Sequence, residues 1–181
     1  MIDSVIFDCD GTLLDSMPAW HALQERFAQK AGIALNPMQL VRLNANTLPE
    51  TAAFFHRECG LGGSVEEVLD DAHQILLSEY RNNVLARSGA VELARRLSGD
   101  GVKLAVASSS PVDFLQVGLE RAGIFDLFDV VASAEGEGRT MRDPQFSLSL
   151  AFSLGVNPAN CWCVDDSAYA LCPMAPAGFM T

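Results

Sequence analysis

The sequence predicts an α/β protein: a parallel sheet with helices on both faces, interrupted after its first strand by four inserted helices. Three observations point there. Short apolar runs alternate with segments of helical length. The runs end on acidic or small polar residues, as strands do where a parallel sheet opens. One long stretch, 17–85, carries only helical signals.

In chain order, Ser4-Val5-Ile6-Phe7 ends in Asp8, and Lys103-Leu104-Ala105-Val106-Ala107 ends in three serines. Asp129-Val130-Val131-Ala132 is the third run, and Cys161-Trp162-Cys163-Val164 ends in Asp165-Asp166. Near-continuous apolar character suits strands buried on both faces. Gly178-Phe179-Met180-Thr181 has the makings of a fifth. Within the insert, Trp20, Leu23, Phe27 and Ala31 lie at helical spacing over 17–31. Asn36-Pro37 supplies an N-cap with proline at N1. Thr47-Leu48-Pro49-Glu50 and Ser64-Val65-Glu66-Glu67 fit the capping box and start helices ending near Cys59-Gly60 and Asn82-Asn83. Trp20, Phe27, Phe54, Phe55 and Leu76 read as bundle core. The expected division is a core of 1–16 and 86–181 and a helical insert of 17–85.

Composition narrows the functions. The chain has 181 residues, 49% apolar and 19% charged, enough for a sizeable core. Its net charge of −11, from 23 acids against 12 bases, argues against a nucleic-acid partner. No run approaches the ~20 apolar residues of a membrane helix. Met1-Ile2-Asp3-Ser4 has no basic segment of the signal-peptide kind. The five cysteines are odd in number and scattered, and Cys161-x-Cys163 is too tight for a zinc knuckle, so it reads as a strand pair. A reduced, soluble, cytoplasmic protein without a membrane partner is the expectation; oligomeric state is left open.

The chemistry gathers at the strand ends. Asp8 and Asp10 follow the first strand, Ser108 the second, and Asp165 and Asp166 the fourth. Carboxylates brought this close repel unless a proton or a cation neutralises them. Hard oxygen ligands favour Mg²⁺, with Asp8, Asp10, Asp165 and Asp166 as candidate ligands. Asp8-Cys9-Asp10-Gly11-Thr12 is the strongest signal, four specified residues that recur by chance roughly once in 10⁵ positions. Residues i and i+2 leaving a strand can face one pocket, so Asp8 can act as nucleophile and Asp10 as acid and base, with Gly11 permitting the turn. In Ser108-Ser109-Ser110-Pro111, Ser110 is expected to cap the next helix, while Ser108 stays at the strand end.

These motifs resemble the haloacid-dehalogenase-like hydrolase superfamily, in its phosphatase and β-phosphoglucomutase branch with a small helical cap. Asp8-x-Asp10-Gly11-Thr12-Leu13-Leu14-Asp15-Ser16 matches the first motif, Ser108 the second, and Val164-Asp165-Asp166-Ser167 the fourth, with Asp166 the better match to the metal ligand. Ala177-Gly178-Phe179 resembles the segment that follows. The resemblance implies a Rossmann-like core and a Mg²⁺-dependent phosphatase acting on a small phosphorylated metabolite. Asp8 would attack phosphorus, Ser108 and Ser109 would orient the phosphoryl group, and Asp10 would protonate the leaving oxygen and then activate water. Family members usually continue through a full fifth strand and a helix; an edge of four residues leaves a sheet margin able to pair with another chain.

One motif is missing. The third places a lysine ahead of the fourth strand, yet no lysine follows Lys103, which opens the second strand roughly 15 Å from its catalytic end. Met141 or Thr140 stands where the lysine belongs, flanked by Arg139 and Arg142. Either arginine could bind phosphate, whose oxygens suit its planar fork, or be a solvated loop charge. Three outcomes stay open: an active phosphatase using arginine, a crippled enzyme, or a protein that binds Mg²⁺ and phosphate without efficient turnover. A sugar-phosphate mutase is the other enzymatic reading, weakened because the mutase histidine falls near Trp20, one position from His21. Insert residues facing the site are expected near Arg42, Asn44, Asn46 and Thr47, where ordinary helix capping is the competing account. His21, His56 and His73 lie at unrelated spacings and read as surface or half-buried groups.

Overall fold

The computed structural model describes residues 2–181. The chain divides into two compact units, one of Met1–Ser16 with Val84–Thr181 and one of Met17–Asn83. The first is the α/β unit. Its strands β1 (Ser4–Phe7), β2 (Lys103–Ser108), β3 (Val130–Ser133) and β4 (Cys161–Val164) form one parallel sheet in the order β3-β2-β1-β4. The expected runs are all strands; β2 reaches Ser108, and β3 starts one residue later than the sequence suggests. The fifth run is a single parallel bridge, Trp162 to Met180, and not a strand.

The other unit holds α1 (Met17–Ala31), α2 (Pro37–Leu43), α3 (Leu48–Cys59) and α4 (Val65–Asn82), at the starts and stops the caps predict. Thr47 forms a full capping box with Glu50. At Ser64 the box is broken: its hydroxyl accepts from Glu67 N–H, but the Glu67 carboxylate reaches the N–H of Gly63 instead. Asn36 forms a full box with Gln39, which the sequence reading did not anticipate. Phe27, Phe54, Phe55 and Leu76 are fully buried, whereas Trp20 is half-buried and donates to the Tyr80 hydroxyl at 2.9 Å. Each such buried ring or leucine contributes about 1.5–3 kcal/mol.

Four more helices, α5 (Ala90–Gly99), α6 (Val112–Arg121), α7 (Pro144–Leu154) and the short α8 (Ala168–Leu171), complete the α/β unit. Helix α7 lies across β1, β2 and β3, where Ile6, Ala105, Ala107 and Cys163 face Phe146, Leu150 and Leu154. The residues of opposite parity, Val5, Phe7, Leu104 and Val106, are equally buried, so both faces are covered. Cys161 and Cys163 belong to this core as free thiols. They share a hydrogen bond that draws the Cys161 thiol down and pushes Cys163 up. Where the chain leaves and re-enters this unit, Leu14 pairs with Ala86, tied by Asp15 N–H to Leu85 carbonyl at 2.8 Å and Arg87 N–H to Leu13 carbonyl at 2.9 Å. No described helix is long and apolar enough to cross a membrane.

Candidate active site

All four strands point their C-terminal ends the same way, and the order reverses around β1, where ligands bind in open parallel sheets. Asp8 leaves β1 there, its N–H donating to the Val164 carbonyl of β4 at 2.8 Å. The next residues fold back tightly, with the N–H groups of Thr12, Leu13 and Leu14 all donating to the Cys9 carbonyl. Gly11 makes the turn at φ +91°, and a Cβ there would collide with the Asp166 carboxylate. Only glycine supplies both the conformation and the clearance. The Asp166 N–H in turn donates to the Thr12 hydroxyl at 3.1 Å.

Asp8, Asp165 and Asp166 come together: each places a carboxylate oxygen within 4.8 Å of the others. Burial pushes the Asp8 carboxyl well above the usual carboxylate range, helped by the charges of Asp10 and Asp165 and only partly offset by Thr12 and the Cys9 N–H. Asp165 is raised as well, by burial and by Asp166, against a hydrogen bond from the Ser167 N–H. Asp8 Oδ2 is buried with no hydrogen-bond partner. An all-carboxylate donor set with an orphaned buried oxygen fits a hard divalent cation such as Mg²⁺.

Asp10 lies outside that carboxylate group. Its carboxylate instead accepts three hydroxyls, Ser16 at 2.6 Å, Ser110 at 2.5 Å and Ser108 at 3.3 Å. Ser110 does not cap α6: the helix starts at Val112 with Pro111 in the N-cap position and no side-chain cap, and the Ser110 hydroxyl donates to Asp10. Ser108 also accepts the Ser110 N–H at 3.0 Å. Ser109 is half-buried in the same turn. Ser16, Ser110 and Thr12 are the residues the sequence reading did not assign. Their signal was a hydroxyl at each turn flanking Asp10.

The two arginines are held elsewhere. Arg139 pairs with Asp143 at 2.8 Å, four residues on, and Asp143 caps α7. The Arg142 guanidinium stacks 3.7 Å above the Tyr169 ring. Neither forms an ion pair with Asp8. Met141, between them, lines a cavity of about 20 Å³ together with Asp8, Asp165 and Ser147. Lys103 donates to the Leu154 carbonyl at 2.5 Å. Arg87 pairs with Asp15 and Arg96 with Asp100, while Arg95 and Arg121 donate to the carbonyls of Gly123 and Val84. Every basic side chain of the α/β unit thus has a partner away from Asp8.

In the helical unit, Arg42 pairs with Glu58 at 2.7 Å over the Phe54 ring, and Asn44 accepts from Gln24 at 3.4 Å. Thr47 is spent on its helix cap. Arg42, Asn46 and Arg57 line an open cavity of about 320 Å³. His21 is exposed, and His56 contacts the Leu61 carbonyl at the end of α3.

Paired aspartates at the mouth of a parallel sheet, one with a buried oxygen lacking a partner and one clamped by hydroxyls, place the molecule among α/β enzymes that work with carboxylates. Sequence makes the assignment specific. Residues 2–177 match the haloacid dehalogenase-like hydrolases, and the chain belongs to that family. It is 30% identical over 175 residues to hexitol phosphatase B of Escherichia coli strain K12, covering 91% of this chain and 75% of that protein. The fold is shared with CbbY from Rhodobacter sphaeroides, solved with phosphate, at a TM-score of 0.81 and 19% identity over 99% of this chain and 84% of that one. It is also shared with β-phosphoglucomutase from Clostridium difficile, at a TM-score of 0.78 and 22% identity over 99% and 82% of the two chains.

Proposed function

We propose that this hydrolase is a Mg²⁺-dependent phosphatase that cleaves a small phosphate monoester through an aspartyl-phosphate. The observation that carries the reading is Asp8, whose Oδ2 is buried and unpartnered at the end of β1. A carboxylate with no hydrogen bond on one oxygen keeps that lone pair available for attack. Asp8, Asp165 and Asp166 would hold Mg²⁺, which would supply positive charge to the phosphoryl oxygens.

The steps then fall to the chain's own groups. An Asp8 oxygen attacks phosphorus, and the ester P–O bond breaks as its oxygen takes a proton from Asp10. A water then attacks the phosphorus, passes its proton to Asp10 and releases the Asp8 carboxylate with inorganic phosphate. Ser16, Ser108 and Ser110 hold the Asp10 carboxylate, and Ser108 and Ser109, in the turn after β2, would orient phosphoryl oxygens. The similarity to hexitol phosphatase B supports a sugar or polyol phosphate as substrate.

A second reading, a weak enzyme that mainly binds Mg²⁺ and phosphate, is favoured by one observation: Met141, and no basic side chain, stands in the wall beside Asp8. The deciding assay is hydrolysis of p-nitrophenyl phosphate and a panel of hexitol, hexose and glycolate phosphates with Mg²⁺. Turnover that disappears in Asp8→Asn supports the phosphatase. Binding without turnover supports the second reading. Isomerisation dependent on a bisphosphate primer would identify a mutase instead.

A further inference from the structure

The turns that carry the three carboxylates are joined by Thr12, a residue with no part in the proposed reaction. Asp8 follows β1 while Asp165 and Asp166 follow β4, so the candidate ligands come from segments far apart in the chain. Asp8 and Asp165 are anchored by backbone groups: the Asp8 N–H donates to the Val164 carbonyl at 2.8 Å, and the Asp165 carboxylate accepts the Ser167 N–H at 2.8 Å. Asp166 is anchored from the opposite turn. Its N–H donates to the Thr12 hydroxyl at 3.1 Å, across 154 positions of sequence. Its carboxylate closes over Gly11, where any Cβ would collide with Asp166 Oδ2. The same Thr12 hydroxyl hydrogen-bonds to Asp8. A hydroxyl has one hydrogen to donate and lone pairs to accept with, so this one side chain serves a ligand on each turn.

How firmly the turns are joined matters differently to the two common hard cations. Mg²⁺ requires oxygens at about 2.0–2.1 Å in a near-ideal octahedron, whereas Ca²⁺ takes them at about 2.3–2.6 Å in a flexible shell. Asp165 and Asp166 are neighbours on one turn, and nothing within that turn sets their distance from Asp8. Three carboxylates left to themselves repel and spread apart. A spread, loosely held set suits the larger ion; a set drawn together and fixed suits the smaller. Thr12 opposes the spreading, and the missing side chain of Gly11 lets Asp166 come in close.

We propose that Thr12 is a positioning residue that sets the preference of this site for Mg²⁺ over Ca²⁺ by tying the Asp166 turn to the Asp8 turn. Thr12 would touch neither ion nor substrate; it acts through the spacing of the carboxylates that do. The proposal rests on the Mg²⁺ site of the phosphatase reading, but ion binding can be measured without turnover.

The test titrates the full chain with MgCl₂ or CaCl₂ at constant ionic strength and reads the half-saturating concentration from the rise in Tm. Thr12→Val keeps the shape of the side chain and removes the hydroxyl. It should raise half-saturation by Mg²⁺ about tenfold or more and by Ca²⁺ less than about threefold, so the preference for Mg²⁺ falls. Thr12→Ser keeps the hydroxyl and should stay within about twofold of the wild type for both ions. Equal weakening for the two ions in Thr12→Val would mean that the threonine only supports the fold. A Thr12→Ser protein that behaves like Thr12→Val would mean that the methyl group matters and not the tie. Either result overturns the proposal, as does a wild-type Tm indifferent to Mg²⁺. The expected pattern in a protein that hydrolyses no phosphate ester upholds the tie and overturns the phosphatase. Mg²⁺-dependent hydrolysis with an unchanged ion preference in Thr12→Val does the reverse.

Discussion

Asp8 and Asp10 stand two residues apart, yet their surroundings differ in kind. Three serine hydroxyls converge on Asp10, from the turn after β1 and from the turn after β2. Asp8 has an orphaned buried oxygen, two carboxylate neighbours and a methionine in the adjoining wall. One group is held fixed and satisfied, the other is held in a state that costs free energy. Proton shuttling needs a fixed orientation, whereas a nucleophile and ligand needs unspent lone pairs. Under the proposed mechanism the contrast is a division of labour built into one turn.

The largest expected effect comes from removing the unsatisfied member. Asp8→Asn should lower phosphatase turnover by at least about 10³-fold, because the amide cannot accept the phosphoryl group. The same change should raise the Tm of the metal-free protein by a few degrees, since it removes a buried charge facing Asp165. Asp10→Asn should cost about 10²–10⁴-fold in turnover without that rise in Tm. If both variants shifted Tm alike, the two environments would not differ as described. Thermal melts in EDTA beside steady-state kinetics make the comparison.

The clamp on Asp10 gives the next effect. Ser110→Ala removes the 2.5 Å hydroxyl contact and should lower kcat about tenfold through a loosened Asp10, with little change in KM. Ser108→Ala should raise KM as well if, as proposed, its hydroxyl at the end of β2 also orients the phosphoryl oxygens. A parallel fall in kcat alone for both variants would reduce Ser108 to a positioning role.

Much of this was legible in the sequence, for physical reasons. Strands and insert helices could be read because buried parallel strands are continuously apolar and helix starts carry explicit caps; Thr47 and Ser64 each mark a start within one residue. Asp8, Asp165 and Asp166 could be read because each terminates an apolar run at the same end of the sheet. What stayed hidden is competition between partners. Ser110 has the form of a helix cap, and only the fold shows that α6 starts one residue later, behind Pro111, while the Ser110 hydroxyl donates to Asp10. Arg139 and Arg142 looked free to reach phosphate, but Asp143 and Tyr169 hold them locally. Spacing says which residues are near in the chain, not which partners the fold brings to them.

A smaller effect tests the cost borne by Asp8. Its carboxyl is raised above the unfolded value of about 3.9, so the folded state holds its proton to higher pH than the unfolded chain does. Linkage then requires metal-free stability to fall as pH rises from that value through the folded pKa, and to be flat above it. Tm measured from pH 4 to 8 in EDTA should decline by a few degrees across that window. Mg²⁺ should flatten the decline by offsetting the charge, and Asp8→Asn should abolish it. A slope that persists in Asp8→Asn would move the cost to another group.

The smallest effect lies in the helical unit, at helix starts whose N–H groups are met by side-chain caps. Thr47→Ala opens a complete capping box and should destabilise α3 by about 1 kcal/mol. Ser64→Ala should cost less, since Glu67 already serves Gly63 and the box there is incomplete. Urea unfolding followed by Trp20 fluorescence in a Trp162→Phe background reads this unit alone. Ser110→Ala, by contrast, should show no helix-start penalty in α6, where no side chain caps the first turn. If it cost as much as Thr47→Ala while leaving kcat intact, the hydroxyl would be serving the helix and not Asp10, and the division of labour between the two aspartates would lose its clamp.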